Sequence, residues 1–147
     1  MCGIGVIVCD GCEVSFEMWD NEFHITEVLK KRGPDYQGTL EFQQNTFVHS
    51  SVLHLRGVSV TPQPLTDDQS SDSFLSWNGE IFSGAVDVGD QQNDGKLLFQ
   101  ALQAAAQLED SSQAISETFS SVHGPFAFCY WQVREKRNFL DSDVVLG

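Results

Sequence analysis

Apolar positions change their spacing several times along the chain, and each change marks an element. Cys2–Cys9 is a short apolar run that ends at Asp10-Gly11, which reads as a strand followed by a turn. Trp19, Phe23, Val28 and Leu29 then recur at helical spacing and predict an amphipathic helix around Met18–Lys31. Lys30, Lys31 and Arg32 crowd its C-terminal end, where cations complement the helix dipole, and Gly33-Pro34 stops it. Thr39–Phe42 and Phe47–Leu55 read as strands, and the polar stretch Gly57–Ser73 with its two prolines reads as a long loop. Phe74–Trp77 and Ile81–Phe82 read as strand ends on either side of Asn78-Gly79-Glu80.

Two helices follow. Asn93 or Asp94 caps the first, whose buried stripe is Leu97, Leu98, Ala101, Leu102 and Ala105. Ser111 or Ser112 opens the second, with Ile115, Phe119 and Val122 inward. Phe126–Val133 is a last strand, rich in aromatics. Strands, then helices, then a strand predict an α+β domain with helices packed on sheet.

Charge narrows the choice of partners. The chain has 147 residues, 41% of them hydrophobic, which suffices for one domain with a real core. Asp and Glu number 21 against 8 Lys and Arg, so the net charge is −13. That balance leaves little from which to build a basic face, so nucleic acid and anionic membrane surfaces are poor partners. Between Gly57 and Val133, Lys96 is the sole Lys or Arg against ten carboxylates, which makes Arg56, just before that stretch, stand out. No run of residues approaches a signal-peptide core or a membrane helix, so a cytoplasmic chain with reduced Cys2, Cys9, Cys12 and Cys129 is expected. Cys9-x-x-Cys12 has the spacing of half a zinc site, but the four histidines supply no second half, so no metal is expected.

Cys2 follows the initiator Met1, and its side chain is small enough for Met1 to be removed. An N-terminal cysteine holds a nucleophile and a base in one residue: the thiol, and an α-amine with a pKa of about 7.7–8.0. By itself Cys at position 2 is weak evidence of catalysis. Six features occur in order: Cys2-Gly3-Ile4, Arg32-Gly33-Pro34-Asp35, His54-Leu55-Arg56 with Gln63-Pro64 behind it, Asn78-Gly79-Glu80-Ile81, Asn93-Asp94 and Gly124-Pro125-Phe126-Ala127-Phe128. The series resembles the class II, or N-terminal-nucleophile, glutamine amidotransferases, the glutaminase half of glutamine-dependent asparagine synthetase. It runs from Met1 to about Leu140, and its wording is closest to a divergent branch of that family.

The resemblance implies an αββα sandwich of the N-terminal-nucleophile hydrolase kind, acting on L-glutamine with no cofactor. Cys2 would attack the side-chain amide, giving a γ-glutamyl thioester and ammonia, and water would release glutamate. Asn78, through its side-chain amide, and Gly79, through its N–H, would form the oxyanion hole. The plainer reading of Asn78-Gly79 is a hairpin turn. Arg56 would hold the substrate α-carboxylate, a task suited to a guanidinium, although a surface ion pair would also account for it. Asp94 would bind the α-ammonium or cap its helix, and Glu80 would face the ammonium or brace the loop. Arg32-Gly33-Pro34-Asp35 reads as a helix stop leading to a loop over the site.

Departures from the family pattern are Lys31 before Arg-Gly-Pro-Asp, Gly57-Val58 after Arg56, and Phe82-Ser83 after Ile81. The resemblance also implies an incomplete glutaminase domain over 1–140, without its C-terminal strands, and a divergent tail over 141–147. The ATP-binding synthetase domain of the family has no counterpart here. A non-catalytic binding or regulatory remnant of an asparagine-synthetase-like protein is the alternative the sequence leaves open.

Overall fold

A computed structural model describes residues 2–9, 24–42, 46–67, 73–136 and 139–146. Its strands are β1 (Gly3–Val8), β2 (Tyr36–Phe42), β3 (Thr46–Val52), β4 (Leu65–Thr66), β5 (Ser73–Gly79), β6 (Phe126–Lys136) and β7 (Phe139–Leu146). Its helices are α1 (Ile25–Lys30), α2 (Asp94–Ala106) and α3 (Ser111–Ser120). The strands form two antiparallel sheets, in the orders β1-β3-β2 and β4-β5-β6-β7. The mixture of helices and antiparallel sheets is the expected α+β class.

Alternation along the strands explains how the sheets stack. Ile4, Val6, Leu40, Phe42 and Val48 of the first sheet meet Phe74, Cys129, Trp131 and Val133 of the second in one apolar layer. Phe42 packs edge-on to Phe74 and Trp131, with ring centroids 5.3 and 5.8 Å apart. The intervening residues face outward. Ile7 and Phe47 pack on Ile25 and Leu29 of α1. Leu75, Trp77, Phe128 and Tyr130 pack on Leu98, Phe99, Leu102, Ile115 and Phe119 of α2 and α3. The contacts therefore run helix, sheet, sheet, helices. Each fully buried aromatic or aliphatic side chain is worth about 1.5–3 kcal/mol relative to an exposed one, so these three apolar seams dominate stability.

Several boundaries differ from the sequence reading, each for a local reason. In α1 Leu29 is buried with Ile25 half-buried beside it, while Val28, about 100° around the helix, faces solvent. The Met18–Phe23 part of the predicted helix lies outside the described residues. In α2 Phe99 joins Leu98 and Leu102 in the core in place of Leu97, which is half-buried. Asn93 caps α2 by accepting from Lys96 N, and Asp110 rather than a serine caps α3 by accepting from Gln113 N. The stretch read as a loop after Gly57 contains β4, which needs β5 as its partner. Residues 141–146 form most of β7, paired with β6. Asp141 and Asp143 are poor strand formers, so pairing with β6 carries that half of the strand, while Val144 and Val145 favour it on their own.

The cysteines also differ from expectation. Cys2 and Cys129 are free, whereas Cys9 is disulfide-bonded. The expectation of reduced thiols followed from the compartment, and compartment does not reveal which thiols a fold brings together. Cys12 lies outside the described residues. Cys129 is buried in the inter-sheet layer, and burial pushes its thiol up from 9.0 to about 11. At pH 8 only about one molecule in a thousand then carries the thiolate there. Iodoacetamide is expected to alkylate Cys2 in the folded protein and to leave Cys129 unmodified until denaturant is added. Peptide mass mapping of native and denatured samples checks this.

Candidate active site

The site lies where the apolar layer between the sheets gives way to polar groups. Along β5 the inward positions are Phe74, Ser76 and Asn78; along β3 they are Val48, Ser50 and Val52. Phe74 and Val48 belong to the core. The next step is a buried hydrogen bond from sheet to sheet, with Ser50 Oγ and Ser76 Oγ 2.8 Å apart. One step further, Val52 and Asn78 line a cavity of about 300 Å³. Ile4 and Val6 face inward on β1, so the same alternation aims Cys2 at this end of the sandwich, and Cys2 also lines the cavity. No lone residue of this series signals a site; the end of the inter-sheet space makes it one.

Backbone groups and the Arg-Gly-Pro-Asp segment hold Cys2. Leu53 N donates to Cys2 Sγ at 3.3 Å, and Cys2 Sγ lies 3.7 Å from Leu53 O. Arg32 Nε donates to Cys2 O at 3.2 Å. Gly33 packs so closely on the Ser51 backbone that any side chain there would overlap it. Asp35 Oδ2 accepts from His54 N at 2.7 Å, and Asp35 N donates to Val52 O. None of Arg32–Asp35 lines the cavity. The segment is thus a brace behind Cys2 and the end of β3, a correction to the expected loop over the site. Leu53 carries no sequence signal because it acts through its backbone.

Arg56, Glu80 and Asp94 bring the charges. Arg56 Nη1 donates to Ile81 O at 3.0 Å, and its Nε lies 3.8 Å from Glu80 Oε1. That ion pair is long and about a third exposed, so it holds little energy and leaves the guanidinium available. The Arg56 side chain therefore does make the ion pair considered from the sequence, while lining the cavity as well. Asp94 is only 4% exposed and sits in the first turn of α2. Ile81 N donates to its Oδ2 at 3.0 Å and Gly95 N to its Oδ1 at 2.9 Å. The helix N-terminus favours this buried negative charge, and each oxygen keeps a second lone pair. Asn93, not Asp94, is the cap, which leaves Asp94 as a buried carboxylate beside the cavity.

Asn78 and Gly79 are not a hairpin turn. They end β5, paired with Ala127 and Phe126 of β6. Ile81 and Phe82 do not form the predicted strand; Phe82 N bonds His123 O, and Ser83 bridges His123. Glu80 N donates toward β6, to Pro125 O, while Trp77 N donates the opposite way, to Gln63 Oε1. The two-residue period of a strand sends Gly79 N–H the same way as Trp77 N–H. Beyond Gln63 that side of β5 is the cavity, which Asn78 and Gly79 both line. Glycine is required here: a Cβ on residue 79 would come within 2.6 Å of Phe126 Cβ.

Cys2, Arg56, Asn78, Gly79, Glu80 and Asp94 thus come together around one cavity from four separate stretches of chain. The departures at Gly57-Val58 and Phe82-Ser83 do not line it. Among the described residues, no His, Cys, Asp and Glu cluster could hold a metal ion, and no helix is long and apolar enough to cross a membrane.

The chain is homologous over about 90% of its length to proteins named asparagine synthetase domain-containing protein 1. It is 38% identical over 138 residues to the one from Gallus gallus, 38% over 141 residues to that of Bos taurus, and 36% over 137 residues to that of Homo sapiens. It spans about a fifth of the length of these relatives, 20% of the first. No protein-family model matches the chain.

Proposed function

We propose that the cavity is a glutaminase site, converting L-glutamine and water to glutamate and ammonia. The observation that carries this reading is the convergence of a thiol, an asparagine, a glycine at the end of a strand and a cation–anion pair on one small cavity. A volume of about 300 Å³ suits a single amino acid. Glutamine would lie with its α-carboxylate on Arg56 and its α-ammonium on Asp94, with Glu80 beside it. Its side-chain amide would then point toward Cys2, Asn78 and Gly79.

Removal of Met1 would free the Cys2 amine. That amine takes the thiol proton, directly or through a water, as sulfur attacks the amide carbon. The amide oxygen becomes an oxyanion, met by the Asn78 side-chain amide and Gly79 N–H. Collapse of this intermediate breaks the C–N bond, the amine returns the proton, and ammonia leaves. Water then attacks the γ-glutamyl thioester through a second oxyanion, releasing glutamate and restoring the thiol. The chemistry draws on this chain's residues without a cofactor, in a protein of the N-terminal-nucleophile hydrolase kind acting in the cytoplasm. Its historical link would be to asparagine biosynthesis, with the synthetase half supplied by further sequence.

The test is glutamate release from glutamine by protein whose intact mass shows Met1 removed. Release at a rate above background supports the proposal; a folded, Met1-free protein that leaves glutamine intact refutes it. Glutamine binding without turnover would instead favour the non-catalytic remnant. Arg56→Ala is expected to raise KM for glutamine roughly 10-fold to 10²-fold, through loss of a charge-assisted contact of about 1.5–3 kcal/mol, with a smaller change in kcat. Initial-rate kinetics across glutamine concentration checks that split.

A further inference from the structure

The β4–β5 ladder stops one step short of where its register would carry it. Leu65 pairs with Leu75, so the next hydrogen-bonded pair in that register would be Gln63 with Trp77. The bond there is of another kind: Trp77 N donates at 2.7 Å to the Gln63 side-chain Oε1. The Gln63 main-chain carbonyl is turned to the other sheet, against Gly38, where any side chain would overlap it. Gln63 is 6% exposed and lines the cavity together with Trp77, Asn78 and Gly79.

We propose that Gln63 is a positioning residue for the oxyanion donors. Its side chain satisfies the Trp77 N–H on the β4 side of β5 and ends strand pairing there. Gly79 N–H, two residues on and on the same side, is thereby left facing the cavity with no β4 carbonyl to claim it. Buried donors without partners are costly, so Trp77 N–H needs this acceptor, and a side chain provides it without prolonging β4 across the cavity. Gln63 touches no reacting atom in this account; it acts through the backbone of Trp77–Gly79. The inference rests on the glutaminase reading and adds to it a residue with a separate role.

The test uses the Met1-processed protein and Gln63→Met, which keeps the side-chain bulk but removes the acceptor. Amide hydrogen exchange at Trp77 is expected to accelerate at least 10-fold, while Leu102 and Tyr130 amides keep their wild-type protection. The kcat for glutamine hydrolysis is expected to fall on the order of 10-fold to 10²-fold with KM within about twofold, since a misplaced donor is felt in the transition state. Should Gln63→Met fail to fold, Gln63→Asn, whose shorter side chain withdraws the oxygen, is expected to give the same kcat loss. A folded variant with wild-type kcat, or with unchanged Trp77 exchange, overturns the inference alone. A wild-type protein that does not hydrolyse glutamine overturns the glutaminase reading and this inference with it.

Discussion

Replacing Cys2 by alanine is expected to lower glutamine hydrolysis on the order of 10³-fold or more while leaving the fold intact. The size follows from the role. Without the sulfur there is no thioester, and the two-step route through an acyl intermediate closes. The α-amine of residue 2 remains, but an amine base alone activates only water. The fold is expected to survive because Cys2 lines the cavity just outside β1 and, among the described residues, its Sγ hydrogen-bonds only to Leu53. Alanine leaves Leu53 N–H beside a cavity that water can enter, so the loss in stability stays near 1 kcal/mol. Glutamate assays paired with thermal melts separate the two effects. Activity retained in Cys2→Ala would assign the nucleophile elsewhere.

Asn78→Ala is expected to cost about 10² to 10³ in kcat, or roughly 2.7–4 kcal/mol of transition-state stabilisation, with little change in KM. Of the two proposed oxyanion donors, Asn78 is the one that can be removed without disturbing the backbone. Gly79 donates through its N–H, and a side chain there would strike Phe126. Asn78 stands on the inward face of β5, one step beyond the Ser50–Ser76 bond and opposite Ala127, so its truncation enlarges an existing cavity and opens no core void. The negative charge it meets exists only after attack on the amide carbon, so substrate binding is largely spared. Steady-state kinetics with a circular-dichroism check of folding decides this. An equal loss of affinity and no loss of kcat would make Asn78 a binding residue.

Much of this arrangement was legible along the chain, and the gaps have physical causes. Periodicity located the core strand Phe126–Val133 and the α2 stripe, since their spacing repeats over many residues. It misplaced β4 and the end segment after Leu140, whose strand character depends on a partner. It read Asn78-Gly79 as a possible turn because that dipeptide favours one; in the fold, pairing with β6 overrides the local preference. For Arg32-Gly33-Pro34-Asp35 the expected helix stop is present, since α1 ends at Lys30, but the segment braces Cys2 from behind and does not cover it. The motif spacing that marked Cys2, Arg56 and Asp94 was informative because these side chains are chemically distinct. Leu53 was silent because it acts through its backbone; Gln63-Pro64 stood in the motif series, but its part in standing in for a strand was not visible there.

By itself, the sequence determined the α+β class, the acidic balance and a set of residues that the fold then brings to one cavity. These depend on residue type and short-range spacing. Only the tertiary structure decided that Cys2, at the start of one sheet, and Asn78, at the end of a strand in the other, share a cavity. It also divided capping and charge between Asn93 and Asp94, and it ended β4 at the point that leaves Gly79 N–H uncovered. Those outcomes depend on contacts between residues dozens of positions apart, and it is the register of two facing sheets, not any local pattern, that sets them.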